Sequence, residues 1–245
     1  MTGDRPGPVG RGSTAPVLEV NQVTCGYGRT VILRDVSVEL RAAETKAILG
    51  ANGAGKTTLL RAISGFIPIT GGSIKLLGRE VGSLASYRRA ELGLCHIQEG
   101  RGIFRSLTVR ENLLMQSRRG DEATAIERAC EAFPRLQTRL AQRAGTLSGG
   151  EQKMLALAAA YIQKPKIIIV DEASLGLAPR IVSEVFTFLE TLSRTGVALL
   201  IVDQFVHQAL RLSKAAYVMR KGTIVYDGPS ENLQQADLAA GYFGV

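Results

Sequence analysis

The eight residues Gly50-Ala51-Asn52-Gly53-Ala54-Gly55-Lys56-Thr57 constrain this chain more than any other feature. They fit G-x-x-x-x-G-K-[ST] in full. They also follow a short apolar run, Thr45 to Leu49, and precede a helical pattern that continues through Ser64. In that context the glycines let the backbone curl until its N–H groups converge on an anion, and the helix adds the positive end of its dipole. Such a loop binds phosphate. Lys56 is expected at β- and γ-phosphates and the Thr57 hydroxyl at Mg²⁺.

The rest of the pattern places this loop in an α/β fold. Ile167 to Val170 and Val197 to Val202 are continuous apolar runs, as in strands covered on both faces, and a helical pattern from Arg180 to Arg194 joins them in a parallel strand–helix–strand unit. Val17 to Val20 and Val31 to Leu40 read as strands, the latter alternating apolar and polar from Val36; Ile74 to Leu77 and Leu94 to Ile97 could add more. Residues 109 to 145 lack that alternation and read as helical, and a long helix runs from Ser148 to about Gln163. Ala216 to Tyr226 reads as a hairpin turning at Lys221-Gly222, followed by two short helices. The expectation is a parallel core interrupted by a helical insert.

Two further segments complement the loop. Ile167 to Val170 ends in Asp171-Glu172, adjacent carboxylates that point differently because side chains alternate along a strand. Asp171 can hold Mg²⁺ through water, leaving Glu172 to face the γ-phosphate as general base. Ser148-x-x-Glu151 is a capping box ahead of an apolar helix, yet Gly149 and Gly150 weaken a first turn. They make sense where the helix end must come within backbone distance of an anion.

Composition excludes several classes. With 245 residues, 45% hydrophobic and 21% charged, the chain can bury a large core and is not disordered. The longest run without a polar residue or glycine, Met154 to Ile162, is far short of the roughly 20 residues that cross a bilayer. Residues 1–16, with their glycines and prolines, read as a flexible tail rather than a secretory signal, and a soluble, intracellular chain is expected. Cys25, Cys95 and Cys130 are too scattered for a disulfide framework or zinc cluster, and His96 and His207 show no metal spacing. The net charge of +8 suits an anionic partner without choosing among nucleotide, nucleic acid and membrane headgroups.

The order of these motifs, with Ser148-Gly149-Gly150-Glu151-Gln152 about twenty residues before Asp171-Glu172, resembles the ATP-binding cassette ATPase subunit of membrane transporters from Val17 onward. The resemblance implies a P-loop NTPase with a mainly parallel core sheet, an antiparallel β-subdomain and a helical subdomain at about 100–162 within residues 17–245. It implies ATP and Mg²⁺ bound at Gly50, Asn52, Gly53, Ala54, Gly55, Lys56, Thr57 and Thr58, with Tyr27 stacked on adenine; without the family Tyr27 is an ordinary strand-end tyrosine. It also implies a head-to-tail homodimer or heterodimer in which Ser148, Gly149 and Gly150 touch the partner's ATP. Ser174 to Pro179 matches a dimer-contact loop. Separate permease subunits at the cytoplasmic face of the membrane, and indirectly a substrate-binding protein, complete the implied assembly.

Some positions depart from the common pattern. Counting back from Leu107-Thr108-Val109, the residue linking Mg²⁺ to the permease contact is Glu99 rather than a glutamine, with Gln98 in reserve. Gln204 replaces the usual switch histidine, Ala173 a proline and Ala159 an arginine. An amide donates a hydrogen bond but carries no proton, so no imidazole-like titration of turnover is expected from position 204. Glu99-Gly100-Arg101 and Asp203-Gln204 resemble the branch that imports branched-chain and other hydrophobic amino acids. The competing readings are a lipid or polysaccharide exporter and a soluble cassette acting on nucleic acid. The single cassette and the absence of sustained heptads speak against the second.

Overall fold

The computed structural model describes residues 15–98, 102–117 and 120–234. Residues 1–14 of the expected tail, Glu99, and the stretch from 235 that would hold the last short helix lie outside them. β1 (Pro16–Tyr27) and β2 (Thr30–Arg41) lead into β3 (Thr45–Leu49) and α1 (Lys56–Ile63). β4 (Ile69–Leu76), β5 (Arg79–Glu80), α2 (Ser86–Glu91) and β6 (Leu94–Ile97) follow. The next described elements are all helical: α3 (Val109–Gln116), α4 (Glu122–Ala132), α5 (Pro134–Gln137), a 3₁₀ turn at Ala144–Thr146 and α6 (Gly149–Ile162). β7 (Ile167–Asp171), α7 (Pro179–Arg194), β8 (Ala198–Val202) and α8 (Val206–Leu212) come next. β9 (Ala215–Arg220), β10 (Thr223–Pro229) and α9 (Glu231–Gln234) close the described chain.

One sheet runs β10-β9-β3-β8-β7-β6, parallel except for the antiparallel β9–β10 hairpin; the other, β2-β1-β4-β5, is antiparallel. Every residue of β3, β7 and β8 is buried, which explains their unbroken apolar runs. Ile48, Ile169 and Leu200 pack toward α1 and the antiparallel sheet. Leu49, Val170 and Ile201 pack on the opposite side with α6 and α7. α7 buries Val182, Val185, Phe186, Leu189 and Leu192, the spacing of one helical face, and begins with Pro179 where a missing N–H costs nothing.

Two features differ from the sequence reading. β1 begins at Pro16, inside the expected tail, and runs far beyond Val20. Its pairing with β2 shifts register at Val20/Val23, Val23/Cys25 and Cys25/Gly26, with Gln22 at φ 48°, so the strand loses the alternation that would reveal it. The adjacent Arg88 and Arg89 have no distinct roles in the sequence, but the structure separates them: Arg88 stays at the surface, pairing with Glu91 at 3.0 Å. Arg89 is 2% exposed. Its Nη1 donates to the carbonyls of Ala62 and Ile63, both at 2.7 Å, and its other nitrogens reach Leu84 and Gly82, both at 3.0 Å. A guanidinium thus caps the negative end of α1, although burial lowers its pKa.

The β9–β10 turn lies at Lys221-Gly222, with φ of 48° and 83°, as a two-residue hairpin of this twist requires. Gly222 N donates to Ala54 O and Gly222 O accepts from Arg34 N, both at 2.9 Å, tying β2 to the phosphate loop. A Cβ at Gly222 would lie 1.8 Å from Ile32 O.

Candidate active site

The phosphate loop joins β3 to α1, as its sequence context requires. Gly50 has φ 150° and a Cβ there would sit 2.4 Å from Met219 O; Gly55, at φ 107°, caps α1. Glycine is therefore needed at both positions. Ala54 N donates within the loop to Ala51 O at 3.1 Å. Lys56 is 9% exposed, and its Nζ donates to Gly50 O at 2.7 Å and Ala51 O at 3.1 Å. Burial lowers the pKa of this ammonium, while Glu172 and Asp171 oppose the shift.

Asp171 and Thr57 meet, although they are far apart in sequence: Thr57 Oγ1 donates to Asp171 Oδ1 at 3.1 Å, and Asp171 is 2% exposed. These are hard oxygen donors of the kind Mg²⁺ takes. The divergence of the two carboxylates goes beyond strand alternation. Glu172 has φ 47°, a left-handed conformation costing about 1–2 kcal/mol in a non-glycine residue, and its N–H donates to Val202 O at 2.8 Å. Its Oε2 accepts from Gln204 Nε2 at 3.4 Å.

Asn52, Gly53, Gly55, Lys56, Thr57 and Thr58 line one side of a ≈ 470 Å³ cleft whose other side includes Glu172 and Gln204. A neighbouring ≈ 290 Å³ cleft shares Asn52, Lys56, Glu172 and Gln204 and adds Gly50. Carboxylate, amide and ammonium thus face one volume, large enough for part of a nucleotide. Gln98 follows Ile97, which pairs with Val170, so it stands level with Asp171. Glu99, the preferred residue for that position, lies outside the described residues.

The remaining expected residues do not join this volume. Tyr27 is 43% exposed at the end of β1, where its hydroxyl accepts from Arg61 Nη1 at 3.2 Å. Ser148 caps α6 with the expected capping box. Its Oγ accepts from Glu151 N at 3.3 Å, while Glu151 Oε2 accepts from Ser148 N at 2.9 Å and Ser148 Oγ at 2.8 Å. Those bonds, with Arg139 and Arg135 nearby, hold the Glu151 carboxyl below its ordinary range. A Cβ at Gly150 would press on the Ile181 side chain at 3.1 Å, whereas one at Gly149 would meet nothing within 4 Å.

Sequence reasoning missed a pair beneath the site. Asp203, 5% exposed, accepts from Ser174 N at 3.2 Å, from Ser174 Oγ and from Phe205 N at 3.0 Å. Ser174, fully buried, is thus engaged inside its own chain, and Leu175 is the large exposed hydrophobic side chain of the expected dimer-contact loop. A buried acid beside Gln204 was the available signal. His96 is a packing residue: its Nδ1 lies 2.7 Å from Ser64 Oγ, its ring 5.8 Å from Phe66, and burial lowers its pKa to about 4.

Comparison with known proteins agrees with this geometry. The ABC transporter family model matches residues 33–175. The chain is 43% identical over 212 residues to the high-affinity branched-chain amino acid transport ATP-binding protein BraG of Pseudomonas aeruginosa, covering 85% of this chain and 91% of that protein. It is 33% identical over 221 residues to the probable branched-chain amino acid transport ATP-binding protein LivF of Archaeoglobus fulgidus, covering 89% and 94%. Its fold matches the crystal structure of the ADP conformation of MJ1267, an ATP-binding cassette of an ABC transporter, with TM-score 0.80 at 24% identity over 95% of this chain and 100% of that one. With a phosphate loop, a buried aspartate on its threonine and a carboxylate–amide pair across the cleft, this chain belongs to the ABC transporter family as one of its ATP-hydrolysing cassettes.

Proposed function

We propose that this chain powers a membrane importer of branched-chain or other hydrophobic amino acids, hydrolysing ATP at the cytoplasmic face beside separate permease subunits. The observation that carries the substrate class is the 43% identity to BraG across most of both chains. Among the described residues no helix is long and apolar enough to cross a membrane, consistent with a permease made of other polypeptides. In this reading a substrate-binding protein delivers cargo on the far side, and the helices between β6 and β7, as a subdomain of residues 17–245, receive the permease.

Each site residue has a part in that chemistry. The loop N–H groups of Gly50 to Thr58 and the Lys56 ammonium bind the β- and γ-phosphates. Thr57 and Asp171 would hold Mg²⁺, which when bound would supply charge neutralisation at the phosphates, and Glu99, or Gln98, would add a contact toward the permease. Glu172 orients a water and takes its proton as the water oxygen bonds the γ-phosphorus and the bridge to ADP breaks, releasing phosphate. Gln204 donates its amide N–H toward the same phosphoryl group while steadying Glu172. Tyr27 stacks on the adenine. Ser148, Gly149 and Gly150, on an exposed helix end with room beside Gly149, bind the ATP held by a second cassette.

The decisive variant is Glu172→Gln. Removing the base should lower kcat by about 10³-fold while leaving ATP binding intact and trapping a dimer visible by light scattering. Turnover near the wild-type rate would remove Glu172 from the role. Uptake of radiolabelled leucine by vesicles holding this chain together with permease subunits tests direction and substrate together; extrusion of a lipid would favour the exporter instead.

A further inference from the structure

We propose that Asp203 is a positioning residue: it yokes the turn after β7 to the turn after β8 and so fixes Glu172 against Gln204. The proposal rests on the ATPase reading of this site. The β7–β8 ladder carries the two turns in register up to Asp171↔Val202, and Glu172 N adds one further bond to Val202 O at 2.8 Å. Beyond that point no strand pairing holds them. Glu172 then takes its left-handed turn, and Gln204 projects from an irregular segment before α8.

The Asp203 carboxylate fills this gap. It accepts from both the N–H and the hydroxyl of Ser174, two residues past Glu172, and from the N–H of Phe205, one residue past Gln204. Three donors from two turns therefore converge on one buried acid, 5% exposed, opposite a serine that is 0% exposed. Only a carboxylate supplies acceptors at both head atoms. An asparagine would fit the space but turn an NH₂ group toward N–H or O–H donors. Neither Asp203 nor Ser174 lines the ≈ 470 Å³ cleft; Asp203 borders the neighbouring ≈ 290 Å³ one, but its carboxylate is taken up by the three donors, so it acts through the residues it holds. The contact between those residues, 3.4 Å from Gln204 Nε2 to Glu172 Oε2, is long enough that a small relative shift of the two turns would break it.

The test is a kinetic split measured on the full chain. Asp203→Asn should lower kcat by about 10²-fold, the scale of a misplacement near 1 Å, while the Kd for a fluorescent ATP analogue stays within about twofold. Ser174→Ala, which removes one bond and keeps the backbone contact, should lower kcat by about tenfold, or about 1.4 kcal/mol of barrier. The double variant should be no slower than Asp203→Asn alone, because both changes break one connection. Fully additive losses, or a kcat for Asp203→Asn within about threefold of wild type, would overturn the yoke. So would parallel losses of nucleotide affinity and melting temperature, which mark a merely structural role. If Asp203→Asn does not fold, Ser174→Ala decides: wild-type kcat sinks the proposal. An inactive wild-type protein that still binds nucleotide would instead overturn the ATPase reading itself.

Discussion

The helix start at the phosphate loop and the helix start at Ser148, the two ends proposed to meet nucleotide, differ sharply in their surroundings. At the start of α1 the loop is hemmed in: Gly50 lies against Met219, Lys56 is held by two carbonyls, Thr57 by Asp171, and the cleft is closed opposite by Glu172 and Gln204. At the start of α6, Ser148 and Glu151 satisfy each other, and nothing stands beside Gly149. The first end has its catalytic company within the chain. The second has a formed cap and an open approach but no chemical partner in the same chain among the described residues. In the proposed reading, the first end is one complete half of a reaction centre and the second is a half for the nucleotide of another cassette.

The contrast can be broken from either side. The largest expected effect is at the enclosed end: Lys56→Ala removes a charge-assisted donor worth roughly 1.5–3 kcal/mol and should weaken ATP binding by about 10- to 100-fold in a nucleotide titration. The far end of the same helix should carry a pH signature in stability. His96, beside the α1 C-cap Ser64, has its pKa lowered to about 4 from 6.5, so the unfolded chain binds more protons between those values. Its contribution is present above pH 6.5, falls as pH drops toward 4 and levels off below. Denaturant melts should lose up to roughly 3 kcal/mol across that window, and His96→Gln should flatten the slope.

Smaller effects belong to the open end. Ser148→Ala removes the cap and should cost about 1 kcal/mol, a drop of roughly 2–4 °C in Tm. Gly149→Ala is the sharpest discriminator because its two consequences have opposite signs. With open space around it, alanine should raise stability by about 0.5 kcal/mol while slowing ATPase turnover, because a methyl group then stands where a partner's nucleotide must approach. Gly150→Ala, crowded by Ile181, should lower Tm instead. Unchanged turnover in Gly149→Ala would remove the functional reason for that glycine.

Much of this was legible in the residues, and the exceptions share a cause. The phosphate loop, the Asp171-Glu172 strand end, the capping box and the Lys221-Gly222 turn are local patterns, and each folds as its spacing requires. The meeting of Thr57 with Asp171 was inferable only because the motifs occur together; their spacing alone does not bring them into contact. What stayed hidden depends on partners distant in sequence or on broken periodicity. β1 is bulged out of its alternation, Arg89 shows its role only through the α1 carbonyls it caps, and Asp203 gains its meaning from Ser174.

The tip of the β9–β10 hairpin carries a practical consequence. A two-residue turn between short strands is where a protein engineer would first look to splice in an epitope tag or a fluorescent reporter. Here Gly222 is clasped by Ile32, Arg34 and Ala54, so the tip joins the antiparallel sheet to the nucleotide-facing loop. An insertion at Lys221-Gly222 would pry those layers apart, making this hairpin one of the least permissive places for grafting.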